Sequence, residues 1–191
     1  MSAFRTVASR VVHRGFSTVR IDALEGPDGP FEREVVEHPD AVAVVALDGD
    51  GRVALVRQYR HPLRAPLVEL PAGTLDVPGE SPEAAAHREL AEEVGRSAPS
   101  LVPLGTFWNS AGWCDERTHL FLAPATFEVG APDGYHPQGE EAAMSIEWRP
   151  FLQLLDEVRH GAVEDAKTAV GVVRAAAVLE GSAGGPGHGG G

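Results

Sequence analysis

Three glutamates on one short stretch, Arg88-Glu89-Leu90-Ala91-Glu92-Glu93-Val94-Gly95, carry the first chemical signal of the chain. At about 100° per residue, Glu89, Glu92 and Glu93 share one narrow face of a helix, and Ala86, Leu90 and Val94 form the apolar stripe beside it. Three carboxylates therefore converge next to a buried anchor. Like charges at these spacings cost roughly 0.2–0.5 kcal/mol per pair, so concentrating them asks for a counter-charge. A solvated acidic face answered by Arg88 is the plain alternative. The other answer is a hard divalent cation, and oxygen-only donors, with no His or Cys at ligand spacing, point to Mg²⁺ or Mn²⁺ instead of zinc.

Other candidate groups carry less. The single cysteine, Cys114, has no His placed as its partner and reads as an incidental thiol, and none of the eight His residues forms a metal-ligand spacing. Asp48-Gly49-Asp50-Gly51 imitates the start of a calcium loop, but Arg52 and Tyr59 stand where that loop needs oxygen donors, so a turn is expected. Four arginines between residues 52 and 64 stand out in a chain of formal net charge −12 and favour anion binding.

The elements that must position these groups follow from local signals. Ser81 as N-cap, Pro82 at the first helical position and Glu83 in the first turn start the acidic helix, and Val94-Gly95 closes it. Strands are expected at Thr6 to His13, Gly15 to Ala23, Phe31 to Glu37, Leu67 to Leu70, Leu101 to Trp108, Thr118 to Leu122 and Met144 to Trp148. Ala41 to Leu47 is apolar enough for the middle of a sheet, and with Val53 to Tyr59 it is expected to form a hairpin across the Gly-rich turn. Pro71-Ala72-Gly73 opens a loop, and a second long loop runs from about Pro124 to Ala142. Two helices follow, about Phe151 to Arg159 and Glu164 to Glu180. Mixed strands with a few late helices indicate an α+β or α/β sandwich.

With 191 residues, 43% hydrophobic and 23% charged, the chain has the size of one globular domain or one domain with an appendage. Its acidity disfavours nucleic acid and anionic membranes as partners. No uncharged apolar run approaches the ~20 residues of a membrane span, and one cysteine makes no intramolecular disulfide, so a soluble protein of a reducing, cytoplasmic compartment is expected. The first twenty residues imitate a transit peptide in their Arg and Ser content and lack of acids, but their β-branched runs favour strands. Fifteen of sixteen basic residues are Arg, with Lys167 the exception, which reads as compositional bias.

The whole constellation Gly73, Glu80, Arg88-Glu89-Leu90, Glu92-Glu93 and Gly95 closely resembles the Nudix box, the signature of the Nudix hydrolases. Two departures are an extra residue between Gly73 and Glu80, which falls in a loop, and Arg96 where an aliphatic residue is usual. The resemblance implies an α/β/α sandwich with a mixed sheet that hydrolyses nucleoside diphosphates linked to another moiety. By position, Glu89, Glu92, Glu93 and the carbonyl of Ala72 would hold the metals, and Arg88 would pair with Glu80 to orient the helix. Metals would let an anionic diphosphate dock on carboxylates, polarise the phosphoryl oxygen and ionise the attacking water.

Resemblance to the ADP-ribose pyrophosphatase subgroup extends over most of residues 15–180, through Arg33-Glu34-Val35-Val36-Glu37-His38, Gln58-Tyr59-Arg60, Glu69-Leu70-Pro71-Ala72-Gly73 and Ser110 to Glu116. It implies cleavage of ADP-ribose to AMP and ribose 5-phosphate, with Glu141 as the base and Glu140 in reserve. It also implies a homodimer through an N-terminal β region at 1–40, which would bring Arg33 and Glu34 near the adenine. The hydrolase domain would occupy 41–180, and 181–191 would be a flexible Gly-rich tail. Arg60 would contact phosphate, and Glu116 would border the terminal ribose. The rival expectations are another nucleoside diphosphate derivative, such as a nucleotide sugar or an oxidised nucleotide, and a non-catalytic ADP-ribose-binding module. Such modules typically lose box glutamates, which this chain keeps.

Overall fold

The β-branched runs at the start of the chain fold as an antiparallel sheet of β1 (Arg5–Arg14), β2 (Thr18–Gly26) and β3 (Gly29–Glu37), with β2 in the middle. The computed structural model describes residues 3–183. β1 is exposed along its whole length. The sheet is tied to the rest of the chain where Val36 pairs with Cys114: Val36 donates its N–H to the Trp113 carbonyl at 2.9 Å and accepts that of Asp115 at 3.1 Å.

The apolar strand β4 (Ala41–Ala46) is buried at every position and takes the inside of a mixed sheet. It pairs in parallel with β10 (Arg117–Ala123) and antiparallel with β7 (Ala72–Thr74), and β9 (Val102–Trp108) extends the sheet beyond β10. A second, antiparallel sheet has β5 (Arg52–Arg60) between β6 (Ala65–Glu69) and β12 (Ser145–Pro150). Side chains alternate between two cores. Val42, Val44, Ala54 and Val56 face Ala85, Ala86, Leu90 and Val94 of α1 (Pro82–Val94). Ala43, Val45, Val53 and Leu55 face Leu154 and Leu155 of α2 (Phe151–Arg159) and Val172 and Ala175 of α3 (Ala166–Ala183). Each fully buried Val or Leu contributes about 1.5–3 kcal/mol. The result is the α+β class expected, an α/β/α sandwich with the small antiparallel sheet ahead of it.

The expected hairpin over 41–59 does not form. β4 and β5 share only the bridge Leu47↔Val53 at the turn and then part into different sheets. Because β7 and β10 occupy both edges of β4, no edge remains for β5. The turn itself is as expected, with Asp48 accepting the N–H groups of Asp50 and Arg52 at 2.9 and 2.8 Å. Ala72 and Gly73, expected in a loop, lie in the short strand β7. Two further short strands, β8 (Arg96–Ser97) and β11 (Phe127–Glu128), pair within what read as loop. α3 runs three residues past Glu180, and 184–191 of the expected flexible tail lie outside the described residues.

Candidate active site

α1 begins and ends as its sequence requires. Ser81 accepts the Ala84 N–H at 3.2 Å, Pro82 opens the helix, and Gly95 leaves it at φ 64°. The apolar stripe fixes the rotation of α1, and the glutamate face then meets β7. Ala72 donates its N–H to Glu93 Oε2 at 2.8 Å. At Gly73 a Cβ would stand 2.0 Å from the carboxyl carbon of Glu89, so only glycine leaves Glu89 its place. Arg88 holds Glu80 through two N–H groups, at 3.1 and 2.9 Å, despite the extra loop residue before Glu80. It also donates to Glu89 at 2.6 Å, to Glu92 at 3.1 Å and to the Thr74 carbonyl at 3.3 Å. Arg96, past the helix end, donates to the Thr126 carbonyl at 2.8 Å and lies over the Trp148 ring, 5.2 Å from its centroid. It fastens the exit loop in place of an aliphatic contact.

This face forms one wall of a cavity of about 630 Å³. Of the residues singled out from sequence, Ala72, Arg88, Glu89, Glu92, Glu93, Glu141, Arg60 and Glu116 all border it. Arg33 and Glu34 do not. The Arg33 guanidinium lies 4.5 Å from the Phe31 ring centroid and donates to the Glu32 carbonyl, and Glu34 stands opposite Ile21 at an exposed position of β3. Glu140 precedes the 3₁₀ turn Glu141–Ala143 and is not part of the cavity wall, whereas Glu141 is.

The electrostatics of the α1 wall are unbalanced. Glu89 is 9% exposed and Glu93 7%. Burial pushes the Glu89 pKa up to about 7, with Arg88 opposing and Glu92 and Glu141 adding to the rise. Burial likewise pushes Glu93 up to about 8, opposed by the Ala72 N–H and reinforced by Glu89 and Glu141. Tyr135, on the same loop as Glu141, is driven to about 12 by burial and then by these acids. Among the described residues no three acidic, His or Cys side chains stand at the convergence of a formed metal centre; Glu89 and Glu92 lean on Arg88 instead. The donor set is nonetheless all oxygen, crowded, and short of positive charge, which fits a hard divalent cation.

Arg60, expected at phosphate, borders the cavity with its guanidinium held by Glu69, Nε and Nη2 donating at 2.6 and 2.7 Å. Lys167 lies on the other side of Glu69 at 3.0 Å and reaches Asp165 at 2.8 Å. Burial would lower the Lys167 pKa, but Asp165 and Glu69 outweigh it and raise it. Lys167, Gln58, Tyr135 and His38 are cavity residues for which no role was read from the sequence, although His38 and Gln58 stand in the segments that carry the resemblance. For Lys167 the available signal was that it is the only lysine of the chain.

The sequence pattern of the NUDIX domain matches residues 37–169. The chain is 40% identical to the ADP-ribose pyrophosphatase of Mycobacterium tuberculosis over 94% of its length and 86% of that protein. It is 35% identical to the ADP-ribose pyrophosphatase of Bacillus subtilis over 88% of its length and 90% of that protein. A crystal structure of an ADP compounds hydrolase superposes with a TM-score of 0.81 at 22% identity, covering 95% of this chain and 97% of the other, which establishes the shared fold. With the box residues gathered at one cavity and the relatives aligned along nearly the whole chain, this protein belongs to the Nudix family and is a Nudix hydrolase.

Proposed function

We propose that the chain hydrolyses the pyrophosphate bond of ADP-ribose, giving AMP and ribose 5-phosphate, with Mg²⁺ or Mn²⁺ as cofactor. The observation that carries this reading is the pair of buried carboxylates, Glu89 and Glu93, beside Glu92 on the wall of a cavity large enough for a nucleotide. Glu89, Glu92, Glu93 and the Ala72 carbonyl would hold the cation. When bound, it supplies the positive charge that a diphosphate needs at this wall and eases ionisation of the attacking water. Glu141 takes the proton of that water from the opposite loop. Arg88 keeps Glu89 and Glu92 in place and anchors the start of α1 through Glu80. Arg60, with two of its nitrogens on Glu69, offers its third to a phosphate oxygen, and Glu116 borders the terminal ribose. The names of the aligned relatives support ADP-ribose over other nucleoside diphosphate derivatives.

The N-terminal sheet supports a homodimer. Val7, Val11, Val12 and Phe16 are exposed there, a run that a single subunit leaves in water. A second copy seated on this region would give Arg33 and Glu34 an adenine-binding role, with 1–40 as the pairing region and 41–180 as the hydrolase domain. Among the described residues no helix is long and apolar enough to cross a membrane, and the lone Cys114 and the charge of −12 suit a cytoplasmic setting. Incubating the purified chain with ADP-ribose and Mg²⁺, with and without chelator, tests the reading. AMP and ribose 5-phosphate are expected only without chelator; an intact substrate, or release of the same products in chelator, would overturn it.

A further inference from the structure

The N-terminal end of α3 is joined to residues 69–70, behind the cavity lining, by a continuous set of buried and part-buried hydrogen bonds. Asp165 accepts the Thr168 N–H at 2.8 Å and its hydroxyl at 2.7 Å. The Thr168 oxygen in turn accepts the Leu70 N–H at 2.9 Å. Lys167 donates to Asp165 and to Glu69, and Glu69 is also gripped by Arg60. One helical turn on, Gly171 lets α3 close onto Leu70, since a Cβ there would stand 2.7 Å from Leu70 Cδ1. Pro71 accepts the Val44 N–H at 3.0 Å. Residues 69–71 are thus held at three successive positions, Glu69 by its side chain and Leu70 and Pro71 by their backbone, from α3, β4 and β5. Directly after it come Ala72, whose N–H sets Glu93, and Gly73, whose bare Cα accommodates Glu89.

We infer that Asp165, Lys167 and Thr168 form a clamp that sets the place of Glu89 and Glu93 through the 69–73 segment, and that Lys167 is a positioning residue for the metal-binding wall. The clamp rests on the reading of that wall given above. A second cation is required because Glu69 and Asp165 are both buried carboxylates and Arg60 is committed to Glu69. Without Lys167, Asp165 keeps only Thr168 and loses its charge partner, and Glu69 is released from α3, which then holds the segment at Leu70 alone. Groups that hydrogen-bond a metal ligand typically change affinity or activity when removed; here that group is the Ala72 N–H on Glu93, and Lys167 and Thr168 act on it through residues 69–71.

The test uses the full chain with Lys167→Met, Lys167→Arg and Thr168→Val, each checked for folding by thermal melting. Mn²⁺ binding without substrate is followed by paramagnetic resonance of free Mn²⁺, and kcat and KM are measured with ADP-ribose. Mn²⁺ affinity and kcat are expected to fall together by about tenfold to hundredfold in Lys167→Met and Thr168→Val, KM holding within about twofold, and Lys167→Arg recovering most of both. Unchanged Mn²⁺ affinity in the folded variants overturns the clamp, as does a rise in KM alone, which would make Lys167 a substrate ligand. If Lys167→Met does not fold, Thr168→Val and Lys167→Arg decide by the same readouts. Should the native chain bind Mn²⁺ yet leave ADP-ribose intact, the substrate reading fails while the Mn²⁺ titration still judges the clamp. If the native chain binds no Mn²⁺, both fall.

Discussion

Two walls of the cavity treat carboxylates in opposite ways: α1 presents its glutamates to the cavity, whereas Arg60 and Lys167 line the other wall with Glu69 and Asp165 behind them. On the β6 side, Glu69 is 1% exposed, yet its pKa is lowered: burial would raise it, and Arg60 and Lys167 outweigh that. On the α1 side, Glu89 and Glu93 are buried to a similar degree and are raised to about 7 and 8. The difference is the number of cations within the protein. Glu69 and Asp165 share Arg60 and Lys167, whereas Glu80, Glu89 and Glu92 draw on Arg88 alone. Burial by itself therefore does not mark a reactive acid. A buried acid whose charge the fold leaves unmet does.

Substitutions on each wall sharpen this contrast. The largest effect is expected from Glu93→Gln, which should lower kcat for ADP-ribose by more than about 100-fold, beyond the loss typical of a ligand's outer partner, with KM little changed. Near-normal turnover would break the assignment of the α1 wall. Gly73→Ala pushes a methyl group into Glu89 and should reduce kcat about tenfold to hundredfold with α1 intact by circular dichroism. On the opposite wall, Glu69→Gln should appear in stability, with a loss of roughly 3 kcal/mol at pH 7 in urea melts. Because the folded pKa of Glu69 is lowered, its contribution is present above the unfolded value and lost as pH falls through the folded one. The gap between native and Glu69→Gln proteins should therefore narrow below about pH 4, and a gap that widens there would contradict the pairing. The smallest effect belongs to Cys114→Ser, away from both walls, which should leave stability within about 0.5 kcal/mol and turnover unchanged in parallel assays.

The α1 wall was legible in the sequence because its information is local: the Ser81 and Gly95 caps, the stripe at Ala86, Leu90 and Val94, and the glutamates all lie within fifteen residues. Of the opposite wall only Arg60 was, because Lys167 meets Glu69 only after the chain has passed through both sheets, and nothing near Lys167 encodes that meeting. The same distinction explains the strands. The turn at Asp48 to Gly51 was readable from its residues, but which strand pairs with β4 is decided by β7 and β10, distant in sequence. Ala72 to Thr74 carries no strand signal of its own and becomes β7 only because β4 offers it an edge. Glu141 was reached through resemblance, and its position on the cavity wall, with Glu140 off it, is a matter of how one turn of 3₁₀ helix faces.

The join between Val36 and the segment Trp113–Asp115 has a mechanical consequence. Two backbone hydrogen bonds, with the His38 N–H on the Asp115 carboxylate at 3.0 Å, fasten the small sheet to the loop that bears Glu116. His38 and Glu116, one on each side of this join, both border the cavity, so the seating of the small sheet bears directly on two residues of the cavity lining.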